Sequence, residues 1–201
     1  MATLERTNLG FIGLIVAVAT IGGFMFGYDS GAINGTQEGL RQAFALDEAG
    51  LGLTVSALLP GCALGAFLAG RFADVWGRRT VMMVAAVVFI LSALASGAAG
   101  SALALAIARF LAGAAVGAAS VLSPAYISEV TPAAMRGRLA STQQVMIISG
   151  LTGAFLVNYW LAGAAGTSLA PFWGGYPAWR WMFWVQAAPA LLFLVTLLMI
   201  P

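Results

Sequence analysis

The stretch that decides the fold is Gly70-Arg71-Phe72-Ala73-Asp74-Val75-Trp76-Gly77-Arg78-Arg79. It places three arginines and one aspartate between two long apolar segments, in a chain of which only 8% is charged. Burying such a group of charges in hydrocarbon is costly, whereas a membrane surface accommodates it. The stretch therefore predicts a tight loop between two membrane-spanning segments, and the rest of the chain is placed relative to that loop.

The overall composition requires a lipid environment. Hydrophobic residues make up 61% of the 201 positions, and the charged share lies far below the roughly 25% of soluble domains. All nine basic residues are arginines, at segment ends and in short loops rather than on one face, so we expect no nucleic-acid partner. Histidine is absent, and the single cysteine, Cys62, lies in an apolar segment. We therefore expect no metal site, no cofactor and no enzymatic activity.

Six segments are long enough to cross the hydrocarbon core, which takes about 20 apolar residues as helix. They are too uniformly apolar for the alternating strands of a barrel, so the sequence predicts an all-α integral membrane protein. The first segment is longer than a signal peptide core and is predicted to be retained. The whole chain, 1–201, forms one six-helix domain with approximate helices 9–33, 49–69, 80–99, 102–125, 139–162 and 179–200.

The distribution of arginines sets the expected orientation. With a cytoplasmic N-terminus, six arginines fall on the cytoplasmic side and two on the outer side, which satisfies the positive-inside rule. The alanine- and arginine-rich composition favours a bacterial inner (plasma) membrane. The six are Arg6, Arg71, Arg78, Arg79, Arg136 and Arg138, and the two are Arg41 and Arg180.

Pairs of glycines recur in the predicted helices. Glycines spaced at i, i+4 lie on one helix face and let another backbone approach closely, so we interpret them as helix-packing sites. The pairs are Gly23 and Gly27, Gly61 and Gly65, and Gly113 and Gly117.

Two charged residues lie inside the predicted spans, where a charge is costly and by default marks function. At 1.5 Å per residue, Asp29 lies about 8 Å from the outer end of the first span and Arg109 about 10 Å from the outer end of the fourth. These similar depths allow an ion pair, which lowers the cost of both charges. Two interpretations are open. Arg109 either moves relative to Asp29 and so drives a protonation step, or it forms a static link between two helices.

The fifth span carries amide side chains that suit a polar cavity. Gln143 and Gln144 lie near its cytoplasmic end, and Asn158 follows about four turns after Gln144, which predicts a shared face. These amides either bind a substrate or form hydrogen bonds between helices. The aromatic residues near the outer ends of the fifth and sixth spans are interpreted mainly as an interfacial belt. They are Tyr159, Trp160, Phe172, Trp173, Tyr176, Trp179, Trp181 and Trp184.

The loop after the fourth span carries a single acid, Glu129. Arg78 and Arg79 are expected at the same membrane face, so a contact with either would latch two helix ends together. An exposed ion pair contributes only about 0–1 kcal/mol. Such a latch can therefore open during a conformational change.

Taken together and in order, these motifs resemble the sugar porter family of the major facilitator superfamily. Each motif is weak by itself, but their order and their positions at helix ends are specific. They are Gly27-Tyr28-Asp29 with Gly31 and Asn34; Gly70 to Arg79; Arg109 with Gly113 and Gly117; Pro124-x-Tyr126-x-x-Glu129-x-x-Pro132 with Arg136-Gly137; Gln144; and Trp179-Arg180-Trp181.

The resemblance implies roles for the charged residues. Asp29 matches the acid of bacterial proton–sugar symporters, and Arg109 matches its arginine partner. The proton is then the coupling ion. A cytoplasmic charge network that stabilises the outward-open state of such transporters is matched by Asp74, Arg78, Arg79, Glu129 and Arg136.

The resemblance also implies a substrate and a process. Gln144 matches a sugar-contacting glutamine, and the further candidate substrate contacts are Gln143, Asn158 and Phe26. We therefore expect secondary active transport of a monosaccharide, a hexose or a pentose, by proton symport with alternating access. The alternative is a six-helix membrane protein or fragment that binds a partner or a sugar but completes no transport cycle.

The resemblance covers only the N-terminal half of such a transporter, which has twelve helices and a sugar site between its two halves. Two explanations are open: a truncated or split transporter that needs its C-terminal half, or a homodimer of two copies. The halves of these transporters are parallel repeats about an axis along the membrane normal. A C2 homodimer is therefore geometrically possible.

Overall fold

The computed structural model describes residues 9–130 and 136–199, with side chains for 20–129, 137 and 141–199. Within these residues the chain is helical except for short connections, a 3₁₀ turn at Trp173–Gly175 and an isolated bridge between Pro171 and Pro177. The helices are α1 (Leu9–Ala43), α2 (Glu48–Ser56), α3 (Leu58–Trp76), α4 (Arg78–Ala98), α5 (Ala102–Val130), α6 (Arg136–Ala165), α7 (Ala178–Val185) and α8 (Ala187–Met199).

These eight helices follow the order of the six predicted spans, because two spans are interrupted without changing direction. Ala57 separates α2 from α3, and Gln186 separates α7 from α8, yet both keep right-handed helical backbone angles. Five stretches of the described chain are long and apolar enough to cross a membrane, and α1 adds a sixth helix of 35 residues. The chain is therefore an all-α membrane protein. The five stretches are Glu48–Trp76, Arg78–Ala98, Ala102–Glu129, Ser141–Ala165 and Ala178–Met199.

The charged loop of the opening stretch is a single residue. α3 ends at Trp76 and α4 begins at Arg78, with only Gly77 between them. Gly77 has φ of +82°, a left-handed conformation that strongly favours glycine. We call this end of the bundle the Gly77 end, and the opposite end, where α1 turns into α2, the Asp47 end.

Helix α1 extends ten residues beyond the predicted limit at residue 33, to Ala43. The extension carries polar side chains that bond along the helix: Asn34 donates to the carbonyl of Ser30, and Arg41 pairs with Glu38 at 3.0 Å. Polar residues end a membrane span but do not end a helix, so hydropathy alone placed the boundary too early. The hydrogen bond from Arg41 holds the pKa of the exposed Glu38 carboxyl below its usual range.

Helices α3 and α5 pack through the two predicted glycine pairs. A Cβ added to any of these four glycines would overlap the backbone of the other helix, so neither helix tolerates a side chain there. Gly61, Gly65, Gly113 and Gly117 face the carbonyl groups of Phe110, Ala114, Leu58 and Cys62, respectively.

Helices α1 and α6 pack in the same way along a longer seam. The predicted pair Gly23 and Gly27 faces α6, and Gly31 and Gly35 extend the row. Gly150 of α6 in turn packs against the backbone of α1 at Phe24. Four glycines at successive i, i+4 positions therefore make α1 nearly flat on the side that touches α6.

Large apolar side chains fill the remaining interior. Phe89 of α4, Leu122 of α5 and Phe193 of α8 belong to one buried cluster, and Trp179 and Phe183 of α7 anchor another towards the Asp47 end. These clusters fix the directions of the helices around the polar residues described below.

Candidate functional site

Asp29 of α1 and Arg109 of α5 meet in the interior of the bundle. Arg109 Nη1 donates to Asp29 Oδ1 at 2.5 Å, and Nη2 donates to Oδ2 at 3.0 Å. The side chains are 1% and 3% exposed. The ion pair that the similar depths of the two residues allowed is therefore present, and the structure shows that it is bidentate.

The burial of this pair makes its two charges interdependent. Removing one member of a buried, hydrogen-bonded pair leaves an uncompensated charge and typically costs about 3–5 kcal/mol. A proton added to Asp29 would instead neutralise the carboxyl and weaken its hold on the guanidinium. Arg109 Nε has no acceptor among the described residues, so this cation is not fully satisfied by the pair.

Gln186 is a buried polar residue that the sequence argument missed. It lies between α7 and α8, is 1% exposed, and its Nε2 has no acceptor within the described chain. Phe193 packs against Gly22, and α8 runs opposite to α1. Gln186 lies two helical turns before Phe193, and Asp29 lies two turns after Gly22. Each is therefore about 10 Å from the contact between Phe193 and Gly22, towards the Asp47 end, so the two residues lie at a similar level of the bundle.

A detectable signal for Gln186 was present in the sequence. It is the only amide in the last apolar segment, 179–200. Buried polar residues in a membrane bundle face its interior. Ser92 and Ser96 of α4 are likewise buried, at 2% and 1% exposure.

The candidate substrate contacts on α6 separate into exposed and buried residues. Gln144 is exposed on the bundle surface, whereas Gln143 is buried against Gly23, with no partner for its Oε1 among the described residues. Asn158 is also buried and donates to the carbonyls of Gly31 and Ala32, both at 3.1 Å. Gln144 and Asn158 therefore do not line one surface, because Asn158 turns into the glycine seam of α1.

Phe26, the remaining candidate contact, is half-buried. It packs against the cluster that contains Phe89 and Phe193. Its ring is thus partly accessible, in contrast to that of Tyr28, which is 5% exposed.

The charge network at the Gly77 end is formed in part. Arg78 Nε donates to Glu129 Oε1 at 2.6 Å, joining the start of α4 to the end of α5. Arg79 donates to the carbonyls of Leu197 and Leu198 at 2.9 and 3.2 Å. These bonds give partners to carbonyl groups in the last turn of α8, which have no partner within the helix. The latch predicted for Glu129 therefore involves Arg78.

The two remaining members predicted for this network are Asp74 and Arg136. Asp74 is exposed and forms no ion pair with any described residue, because Arg78 and Arg79 turn towards α5 and α8. The side chain of Arg136 lies outside the described residues.

Aromatic side chains gather at the Asp47 end around the connection between α6 and α7. Their rings contact one another at centroid distances of 5.0–6.2 Å. Tyr159 is 82% exposed and Trp173 73% exposed, as a residue in an interfacial belt would be. Trp179 is an exception to the predicted belt: it is 1% exposed and packs against Gly39 of α1. The rings in mutual contact belong to Trp160, Phe172, Trp173, Tyr176, Trp181 and Trp184.

Comparison with known proteins gives a consistent result. The chain is 48% identical over 98% of its length to a glucose transport protein of Synechocystis sp. and 37% identical over 96% to the D-xylose-proton symporter of Escherichia coli. It is also 34% identical over 96% to the arabinose-proton symporter of Bacillus subtilis. The chain covers only 42%, 44% and 41% of these relatives, so it spans less than half of their length.

The fold agrees with solved transporter structures. The proton:xylose symporter XylE of the major facilitator superfamily, bound to 6-bromo-6-deoxy-D-glucose, superposes with a TM-score of 0.88 at 36% identity, over 96% of this chain and 46% of that chain. An inward-open xylose transporter XylE from E. coli gives a TM-score of 0.85 at 37% identity, over 94% and 48%. The sequence model described as sugar (and other) transporter matches residues 15–201. The chain therefore belongs to the sugar (and other) transporter family of the major facilitator superfamily, whose members are transporters and not enzymes.

Proposed function

We propose that this chain carries a monosaccharide across the membrane by proton symport, either with a second half or as a homodimer. The observation that carries the proposal is the buried pair of Asp29 and Arg109, because an ionisable residue inside a membrane bundle is retained at a cost and marks an ion pathway. Relatives named as proton symporters of arabinose and xylose support the same process.

The proposed coupling step is a change of partners at Asp29. In the conformation described, the carboxylate is held by two hydrogen bonds from Arg109. Protonation removes its charge and releases the guanidinium, which then needs another acceptor. Deprotonation restores the pair. The proton is thus the coupling ion, and no other cofactor is needed.

The proposed sugar contacts differ in how accessible they are. Gln144 is exposed and can present both a donor and an acceptor to a hydroxyl group, so it is our first candidate. The partly accessible Phe26 could pack against a sugar ring. Gln143 and Asn158 are buried, and their proposed contact with sugar requires α1 to move away from α6. The substrate class is a hexose or a pentose.

We place the Gly77 end at the cytoplasmic side of a bacterial inner membrane, with the N-terminus cytoplasmic. The exposed arginine-rich loop supports this orientation. The latch between Arg78 and Glu129 then closes the cytoplasmic side, together with the proposed network members Asp74, Arg79 and Arg136.

The second half of the carrier is proposed to be either a partner half or a second copy of this chain. A substrate site built between two repeats needs both of them. A C2 arrangement about the membrane normal would place two equivalent faces opposite each other.

The test is sugar uptake into proteoliposomes that contain this chain, with and without an inward proton gradient, across a panel of hexoses and pentoses. Asp29→Asn is expected to lose gradient-driven accumulation while keeping sugar exchange. The matched control is Glu38→Gln, which removes an exposed acid from the same helix and should leave accumulation intact.

Other outcomes separate the two functional hypotheses. Folded protein that transports no sugar of the panel contradicts autonomous transport by a homodimer. The chain is then one half of something, and the same assay repeated with its second half separates a split carrier, which transports, from the alternative, a six-helix membrane protein that only binds a partner or a sugar. Accumulation that persists in Asp29→Asn contradicts the proposed role of the carboxyl.

A further inference from the structure

An apolar groove of about 170 Å³ lies on the lateral surface of the bundle between α3, α4 and α5. Every residue that lines it is apolar, and the groove opens sideways past the exposed side chains of Phe72 and Val84. Its floor consists of small residues, among them Gly65, Ala114 and Ala118. Neither Asp29 nor Arg109 lines the groove.

The groove is a consequence of the glycine packing. α3 and α5 touch backbone to backbone at Gly65 and Ala114, so no long side chain projects from their seam. α4 supplies Val84 and Val88, which form a wall but do not reach across. Lipid that covers this surface in a membrane fills the groove with hydrocarbon, because an empty groove would lose dispersion contacts and a polar ligand would find no hydrogen-bond partner.

Arg71 lies on α3 at the level of the groove end nearest Gly77, one residue before Phe72, and is not among the residues that line the groove. Arg71 is exposed and forms no ion pair with any described residue, whereas the neighbouring Arg78 is held by Glu129. Arg71 lies next to Phe72, which lines the groove and stacks on Trp76 with ring centroids 5.1 Å apart. An arginine at a helix end can extend its guanidinium to the headgroup level, where it binds phosphate through paired hydrogen bonds.

We propose that this groove holds one acyl chain of an anionic phospholipid whose phosphate is bound by Arg71. Any acyl chain fits the apolar walls, so the groove itself does not discriminate between headgroups. The preference comes from Arg71, since no described residue forms an ion pair with it. One basic residue at a membrane surface corresponds to a preference of about fivefold for an anionic lipid over a zwitterionic one.

The experiment uses Trp76 as a local reporter. The other five tryptophans belong to α6, α7 and the connection between them, so the Trp76 signal is obtained by subtracting the fluorescence of a Trp76→Phe variant. The chain is reconstituted in phosphatidylcholine vesicles in which either phosphatidylcholine or phosphatidylglycerol carries bromine on its acyl chains. Bromine quenches nearby tryptophan, so the relative quenching reports the relative affinity of the groove.

Brominated phosphatidylglycerol is expected to occupy the groove about fivefold more readily than phosphatidylcholine. Arg71→Gln should abolish this preference, and the control Arg41→Gln, an exposed arginine at the Asp47 end, should not. Val84→Phe should reduce quenching by both lipids. Its control is Val87→Phe, on the same helix but outside the groove.

Two results would overturn the proposal: equal quenching by both lipids in the unmodified chain, or a preference that survives Arg71→Gln. Unchanged quenching in a folded Val84→Phe variant would also overturn the groove as the binding place. Arg71 is exposed, so its substitution leaves the packing intact and the test stands even if Val84→Phe fails to insert. None of these readouts depends on transport.

Discussion

At the scale of single residues, the buried polar groups differ in how completely they are paired. Asp29 and Arg109 satisfy each other through two hydrogen bonds, whereas Gln186 and Gln143 each keep one unpaired atom within the described chain. An unsatisfied buried group costs about 1–3 kcal/mol. A bundle that changes conformation can offset this cost if the unpaired atoms find partners in another state.

Arg109→Gln is predicted to destabilise the protein strongly, because it leaves the buried carboxylate of Asp29 without its cation. The free energy of unfolding should fall by about 3–5 kcal/mol, measured by thermal unfolding in detergent micelles. The double variant Asp29→Asn/Arg109→Gln should recover much of this loss, because two neutral amides can share a hydrogen bond. Strictly additive losses would contradict a coupled pair.

At the scale of helices, the glycine rows decide which helices become neighbours. The α1–α6 and α3–α5 seams both bring backbones into contact, and Asn158 reinforces the first seam by donating to two carbonyls of α1. The i, i+4 spacing predicted a packing face on each helix. It did not predict the partner of that face, because every glycine row can accept any other flat helix.

Gly117→Ala is predicted to lower the free energy of unfolding by about 1–3 kcal/mol, since its Cβ would overlap the carbonyl of Cys62. The matched control is Gly163→Ala in α6, where a Cβ meets nothing within 4 Å. The control should be neutral or stabilising by up to about 1 kcal/mol, because alanine favours helix over glycine. Thermal unfolding of the two variants side by side tests the contrast, and equal effects would contradict the close packing of α3 and α5.

At the scale of the whole molecule, the ends of the bundle are tied by bonds that differ in strength. At the Asp47 end Arg180 donates to the carbonyls of Gly97 and Ala99, and at the Gly77 end Arg79 donates in the same way to two carbonyls of α8. The Gly77 end also has the partly exposed ion pair of Arg78 and Glu129. An exposed pair is easier to break than these bonds, so we expect the link between α4 and α5 at the Gly77 end to open first.

Glu129→Gln is predicted to shift the protein towards the state that is open at the Gly77 end. An exposed pair worth up to about 1 kcal/mol corresponds to a population change of up to about fivefold. The shift can be measured as the maleimide labelling rate of a cysteine placed at Ala73, which is 5% exposed near the Gly77 end in the conformation described, in a Cys62→Ala background. Arg78→Gln should give the same shift, and the double variant should add little because both remove one bond.

Asp74→Asn serves as the control for this prediction, because Asp74 is exposed and forms no ion pair among the described residues. A labelling rate that changes as much in Asp74→Asn as in Glu129→Gln would contradict a specific latch.

What the amino-acid sequence determined by itself was the class of the molecule and the depth of its charges. Long apolar segments separated by arginines require membrane helices, and the positions of Asp29 and Arg109 along those helices brought them to one level. The tertiary structure alone decided which side chains are accessible: Gln144 is exposed, Asn158 and Trp179 are buried, and Asp74 stays outside the ion pair of Glu129. The reason is physical. Hydropathy and spacing specify how far along a helix a residue lies, whereas its rotation towards a partner depends on which helix packs against it, and that choice is made by contacts between residues distant in the chain.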